Sequence, residues 1–413
     1  IKRIKQYLSQ LDGQVSNTAA NYNKIIAEIE KLNVEYKKKW VFQVDFFKPM
    51  KSNVLSQKYQ RNLFKVLDTL NKTQKKPKND NLENFKSSFS ARYQEKEVQL
   101  VEALDNEFGI GYAGNVSGRG EVNYLIDSLQ LPGNTGSINI NWDPWIRYLH
   151  QEVLKSKENG TGTVKLDSEK INSIFGNSIS ENDYLPDTLI APFSHLGKID
   201  DSDEKLIYYG FQGSSAANAI GRFAHLDGKI HEVVKNITKT EEELNKDKII
   251  AEVVHLPQTR TANILKHLPF RKYEIPFLAR PTVAKENQIP INDLYVSVRN
   301  DKIIIRSKKH NKEVVPRLTN AHNFSYNSLP LYHFLCDLQT QDIKTGIIFS
   351  WQGLENVFNR LPRVECADVI VSLATWFFSR KDVEYLFALK GKDLQLATEE
   401  FQKEHQLPRF LLF

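Results

Sequence analysis

Methionine and cysteine are nearly missing from this 413-residue chain, which contains one Met and two Cys. With only Cys336 and Cys366, a disulfide framework and a four-thiolate zinc site are excluded. A reducing compartment is the natural reading, and a cytoplasmic location is expected. No stretch approaches the roughly 18 consecutive apolar residues of a membrane span. The opening Ile1-Lys2-Arg3-Ile4-Lys5 lacks the apolar centre of a signal peptide. Phosphate-loop, His-Glu-x-x-His and Gly-x-Ser-x-Gly signatures are absent, and the glycine-rich Phe108 to Gly114 lacks dinucleotide-fold spacing. The ten His form no metal-ligand spacing, so no metal is expected. There is no initiator Met, Met50 being the only one, and the sequence stops on Pro408 to Phe413, which reads as a strand cut at its start. The expectation is an internal fragment of a longer protein.

What is present is the composition of a folded globular protein, 40% hydrophobic and 11% aromatic. At roughly 150 residues per domain the length is a soft prior of two to three domains. The charges, 56 Lys+Arg against 50 Asp+Glu, leave a formal +6 over the whole chain.

Apolar residues recur at three- and four-residue steps from Ile4 to Val34, broken near Asp12-Gly13, which predicts a helical hairpin or a kinked helix. Trp40 to Phe47, rich in aromatic and β-branched residues and closed by Lys48-Pro49, predicts a strand. Helical patterns return at about 54–71, 82–93, 145–156, 330–340 and 381–403. Thr188 to Phe193 is strand-like, and so are Ile249 to His255, Tyr273 to Phe277, Leu294 to Val298, Lys302 to Arg306 and Val314-Val315. Arg299-Asn300-Asp301 fits a hairpin loop. The expected fold class is α+β, with mixed helices, a predominantly antiparallel sheet and several subdomains. Boundaries are expected after 112 and 185. They separate a helical or α+β subdomain over 1–112, partial at its N-terminus, from a 113–185 insertion and helical segment, and that from a sheet-rich core over 186–413, truncated at its C-terminus. The Gly/Asn/Ser-rich stretch from Ala113 to about Asn141 reads as a flexible insertion or a lid.

Three clusters could carry chemistry. From Gly210 to Arg222, glycines and serines precede a small-residue helix. Its start is either an ordinary turn capped by Ser214 or Ser215, or an anion site made of free N–H groups. Pro316 to Phe324 packs Arg317, Thr319, Asn320, His322 and Asn323 at a predicted strand end, where Arg317 could grip an anion and His322 could move a proton. His255 to Ile264, with Arg260, is either a polar hairpin crossing at the surface or part of a site. Separately, basic residues accumulate between 48 and 78, Lys48, Lys51, Lys58, Arg61 and Lys65 among them. They form either a solvated face or a surface for a nucleic-acid backbone.

Several segments, in order, resemble the lantibiotic dehydratase family, the LanB-type enzymes that also occur in thiopeptide pathways. They are Arg92-Tyr93 with Glu97 to Gly111, Gly213 to His225, Ala251 to Asn263, Tyr273-Glu274-Ile275-Pro276, and Ile289 to Asn323. Leu329 to Gln339 and Leu361-Pro362-Arg363-Val364 extend the resemblance, which runs from about residue 40 to the end. It implies the glutamylation domain of an enzyme that takes glutamate from glutamyl-tRNA and transfers it to Ser and Thr hydroxyls of a ribosomal precursor peptide. A separate C-terminal region or protein then eliminates glutamate to leave dehydroamino acids. No cofactor is expected beyond glutamyl-tRNA as co-substrate. The expected partners are that tRNA, the precursor peptide, an elimination domain in the same chain or another, and a second copy of the chain. The family's N-terminal Arg-rich segment with its Thr-Pro-x-Gly motif does not occur here. It is expected upstream of Ile1, with much of the winged-helix element that binds the leader peptide, so the isolated fragment is expected to be inactive.

The resemblance, set beside the residue types, gives a site. Arg317 is expected to anchor glutamate or phosphate, His322 and Asp105 to serve acid-base roles, and Asn320, Asn323, Gly213, Ser214, Asn218 and Arg260 to bind substrate. Lys48, Lys51, Lys58, Arg61 and Lys65 are expected to bind tRNA. The competing reading is a scaffold that binds precursor peptide or RNA without catalysis, and a third, a hydrolase built on Ser214, has no recognisable His and carboxylate beside it.

Overall fold

The computed structural model describes residues 1–12, 14, 16–49, 51–74, 78–112, 140–176, 184–197, 204–256, 262–265, 268–324 and 328–408. Residues 113–139 of the expected insertion or lid, Arg260 and the tail 409–413 lie outside the described residues. The chain divides into two compact units, Ile1–Asn53 and Val54–Phe413.

The first unit holds helices α1 (Lys2–Asp12) and α2 (Ala19–Glu30), the hairpin reading of the helical periodicity. The strand expected over 40–47 is not formed. Lys38–Trp40 is a 3-10 turn, and Phe42 folds back edge-on against Tyr22 of α2 with 5.0 Å between ring centres. Val44 and Phe46 are exposed. Aromatic and β-branched residues favour a strand where a pleated surface receives them, and no ladder partner does so among the described residues.

The second unit begins with α3 (Gln57–Thr73), α4 (Asp80–Tyr93), β1 (Val98–Gln99), α5 (Leu100–Ala103), α6 (Pro144–Glu158), β2 (Thr163–Lys165) and α7 (Ser168–Phe175). Next come β3 (Phe193–Leu196), β4 (Lys205–Tyr208), β5 (Phe211–Gln212), α8 (Ala217–Ile220), α9 (Gly228–Leu244), β6 (Ile249–His255), α10 (Ala262–Leu265) and β7 (Tyr273–Phe277). It continues with β8 (Leu294–Arg299), β9 (Lys302–Ser307), β10 (Lys312–Arg317), α11 (Pro330–Leu338), β11 (Gly346–Ile347) and β12 (Arg360–Leu361). The last elements are β13 (Arg363–Cys366), β14 (Val369–Ser372), β15 (Thr375–Trp376), α12 (Arg380–Val383) and α13 (Gly391–Glu404).

One sheet has the order β1-β8-β9-β10-β6-β7, antiparallel from β1 to β10 and parallel from β10 through β6 to β7. A five-stranded sheet, β2-β13-β14-β4-β3, alternates parallel and antiparallel pairs, and β11-β5 and β12-β15 form two-stranded antiparallel sheets. Helices on mixed, mainly antiparallel sheets make the fold α+β. The β8–β9 hairpin turns on Asn300 and Asp301, both left-handed at φ 50° and 60°, as a two-residue loop with strand-matching twist requires.

Two details differ from the periodicity. The strand near 188–193 begins only at Phe193, after Pro192, because proline donates no ladder hydrogen bond. The helix expected over 381–403 is interrupted, with Leu389 and Lys390 extended between a 3-10 turn over Glu384–Ala388 and α13.

Two apolar cores cut across the expected boundaries at 112 and 185. One joins Leu63, Val66 and Leu70 of α3 to Trp145 and Leu149 of α6 and to Leu206, Val364 and Val369 of the five-stranded sheet. The other joins Phe85 and Phe89 of α4 to Val296 and Ile305 of the six-stranded sheet and to Tyr332 and Phe334 of α11. Strands that pair across a sheet are distant in sequence, so composition shifts along the chain do not mark these cores. No helix among the described residues is long and apolar enough to cross a membrane.

Strand β6 is the middle strand of the parallel part of the six-stranded sheet. It is buried at all seven positions, the pattern of a strand covered on both faces. Ile249, Ala251 and Val253 join the core beneath α11. Alternation therefore turns Glu252 to the opposite face, where α9 packs.

Candidate functional site

A dense buried polar cluster lies where the carboxyl end of β10 meets the middle of β6. Register places Arg317 of β10 opposite Glu252 of β6, and Glu252 opposite Glu274 of β7, so all three share a face. Between Glu252 and α9 lies Arg271, whose side chain is fully buried. Its Nη2 donates to Glu241 Oε2 at 2.6 Å, and its Nε is 3.5 Å from Glu252 Oε2. Glu241 Oε1 accepts from Ser215 Oγ and Thr188 Oγ1, both at 2.5 Å. Burial alone would raise the Glu241 carboxyl, but Arg271 and these two hydroxyls outweigh it and hold the group below its ordinary value. Glu252 Oε1 accepts from Thr319 N and Thr319 Oγ1 at 2.8 and 2.9 Å. Charge-assisted hydrogen bonds and the Arg271–Glu252 ion pair thus tie the turn at 215 to the loop at 319.

A second tie is neutral. Asn218 Oδ1 accepts from Ser214 N and Ser215 N at 3.0 and 2.9 Å, and its Nδ2 donates to the carbonyls of Leu318 and Asn320 at 2.6 and 3.3 Å. Gly213, at φ +119°, permits this closeness, since a side chain there would begin 2.9 Å from Asn218 Oδ1. The N–H groups proposed to cradle an anion are already used: Ala216 N donates to Thr188 Oγ1 and Ala217 N to Ser215 Oγ. Ser214 Oγ donates to Gln339 Oε1 at 2.9 Å, and no His touches it among the described residues. The segment is a structural turn that positions the loop beside it. Asn218→Asp, which sets a carboxylate oxygen against two carbonyls, is expected to cost about 2 kcal/mol, read as a lower midpoint in urea unfolding.

Arg317 does not open onto a cleft as an anion fork. It is 8% exposed; Nη1 donates to the carbonyls of Gln339 and Pro316, and Nη2 lies 3.7 Å from Asp187 Oδ2. Burial lowers its pKa, with Glu241 and Asp187 opposing and Arg271 adding to the effect. On the other face of the strand ends, His255 Nδ1 donates to the Phe277 carbonyl at 2.9 Å and its ring lies 4.5 Å from that of Tyr332. Tyr332 meets His322 Nδ1 through its hydroxyl at 3.0 Å. Burial, then the neighbouring His255, push the His322 pKa down, so the ring is neutral near pH 7. His322 N is held by Asn320 Oδ1 at 3.1 Å.

The family described as lantibiotic dehydratase, N terminus, matches residues 1–413, the whole chain. The chain belongs to this family. The subtilin biosynthesis protein SpaB of Bacillus subtilis is 21% identical over 337 residues, 80% of this chain and 31% of that protein. The nisin biosynthesis protein NisB of Lactococcus lactis subsp. lactis is 22% identical over 353 residues, 84% of this chain and 33% of that protein. The fold is similar to the crystal structure of the tRNA-dependent lantibiotic dehydratase MibB from Microbispora sp. 107891, with a TM-score of 0.67, 18% identity, and coverage of 86% of this chain and 33% of that one. The chain spans about a third of the length of the curated relatives it matches.

In this lantibiotic dehydratase domain, Arg317, Asn320, His322, Gly213, Ser214 and Asn218 come together, and Asn323 follows at an exposed position. Asp105 does not join them. It follows the edge strand β1, three strands from β10, and its Oδ1 caps its own exposed turn at Phe108 N and Glu107 N, which hold its pKa down. Lys48 and Lys51 are exposed in the first unit, and Lys58, Arg61 and Lys65 are exposed on α3 in the second. The sequence reading missed Glu241, Glu252, Arg271 and Gln339. A lone carboxylate in the otherwise apolar run Ile249 to Val254 was a usable signal for Glu252; the other three had none.

Proposed function

We propose that this chain is the region of a dehydratase that transfers glutamate from glutamyl-tRNA to Ser and Thr hydroxyls of a ribosomal precursor peptide, ahead of elimination of glutamate elsewhere. The observation that carries the reading is the family match over residues 1–413. An aminoacyl ester is already activated, so an attacking hydroxyl needs orientation, a proton acceptor and donors for the developing oxyanion more than a covalent nucleophile. His322 has the neutral ring an acceptor requires, and Tyr332 fixes its orientation through Nδ1. Arg317 is a positioning residue in this reading, fixing the strand end that leads into Thr319, Asn320 and His322.

The test uses the complete protein that contains this chain, glutamyl-tRNA and the Ser/Thr-bearing precursor peptide encoded with it. Weighing the peptide should show the gain of one glutamyl residue per modified hydroxyl, or the loss of one water per hydroxyl where the complete protein also eliminates glutamate, and no change with uncharged tRNA. His322→Gln should lower the rate by about 100-fold or more while the protein stays folded. Peptide or RNA binding without any change in peptide mass in the wild type would establish the scaffold instead.

A further inference from the structure

The outer face of α3 combines two features that the proposed chemistry leaves unused. Leu63, Val66 and Leu70 are buried, so helical spacing turns Lys58, Arg61 and Lys65 together to the opposite, exposed side. Among the described residues none of these three cations has an ion pair, whereas Asp68 farther along is matched by Lys72 at 3.3 Å. At the edge of this basic face, one turn from Arg61, sits Phe64, 62% exposed. Scattered exposed apolar residues are ordinary on protein surfaces. An aromatic ring displayed beside uncompensated cations is instead the pairing used to hold unpaired nucleotides, the charges tracking phosphates while the ring receives a base.

We infer that the outer face of α3 binds an unpaired stretch of the RNA substrate, with Phe64 as the platform on which one base stacks. The inference rests on the glutamyl-tRNA reading and deepens it, because bases inside an A-form duplex are not available for stacking on a side chain. The cations suit any polyanion, and the exposed ring favours RNA over an acidic peptide, which would use the cations but not the ring.

The test titrates unacylated glutamate tRNA into the complete protein at several salt concentrations. Phe64→Ala should weaken binding roughly five- to hundred-fold, the value of one base–aromatic stack, with the salt slope unchanged. Phe64→Tyr should retain wild-type affinity. Arg61→Ala and Lys65→Ala should each reduce the salt slope by about one. All four variants should melt at the wild-type temperature, since no altered side chain is buried. Undiminished affinity in Phe64→Ala, or an equal loss for a blunt RNA duplex, would overturn the inference and leave the transferase reading standing. An acidic peptide that competes with tRNA and loses affinity equally in Phe64→Ala would assign the face to a protein partner instead. If the wild-type protein binds no tRNA, both readings fall together.

Discussion

Arg271→Ala is expected to lose about 3–5 kcal/mol of folding stability, the cost of leaving buried carboxylates without their cation. The magnitude follows from where the charges sit. Arg271 is fully buried and is the bridge between Glu241 and Glu252, themselves 1% and 3% exposed. Removing the guanidinium also opens a cavity, so the charge contribution needs its own signature, and pH supplies it. In the wild type Glu241 is held below its ordinary value of 4.5, so it stabilises the fold above that pH and the contribution is lost as pH falls through its folded pKa. In the variant, burial is left with less to oppose it and Glu241 titrates above its ordinary value. Its penalty is then present at neutral pH and is relieved as the carboxyl protonates. The stability gap between the two proteins should therefore narrow as pH drops below about 5. A gap that stays constant from pH 7 to pH 4 would mean that lost packing, not charge, explains the destabilisation.

The same cluster shows what the sequence could and could not reveal. Strands β6 to β10 follow from short β-branched runs between turn signals, and the Asn300-Asp301 turn is visible because few residue pairs accept left-handed backbone at two consecutive positions. Arg317, Asn320 and His322 stand out because they crowd polar chemistry into one strand end. Glu241 and Arg271 could not stand out, since each looks like a surface charge in its own segment, one in the run Thr240-Glu241-Glu242-Glu243, the other in Arg271-Lys272. Only the approach of α9 to β6 buries both. Burial also changes the role of Arg317. A guanidinium at a strand end promises an anion grip, but the carbonyls of Gln339 and Pro316 and the carboxylate of Asp187 occupy it. Trp40 to Phe47 shows the opposite failure, a strand-like composition with no ladder to join among the described residues.

Gly221→Ala should reduce glutamyl transfer by about 100-fold, out of proportion to its loss of stability. The backbone at Gly221 is ordinary helical, φ −56° and ψ −41°, so conformation does not demand glycine; space does. A Cβ built there would stand 2.0 Å from the Thr319 carbonyl oxygen and 3.1 Å from the carbonyl carbon. The neighbour is backbone and cannot rotate away. Thr319 is further held by Glu252, and Leu318 and Asn320 by Asn218, so relief comes from shifting the whole 318–322 loop or the turn carrying residue 221. Overpacking of this kind costs typically 1–3 kcal/mol. A shift of about 1 Å in a positioned group costs on the order of 100-fold in rate, and here the displaced loop leads directly to Asn320 and His322. Gly228→Ala is the matched control, because a Cβ at that position meets nothing within 4 Å; both its rate and its melting temperature should stay at wild-type values. If the Gly221 variant, folded and bearing the methyl group, transfers glutamate as fast as the wild type, then the loop from Leu318 to His322 does not border the reacting hydroxyl, and the base must be sought elsewhere in the domain.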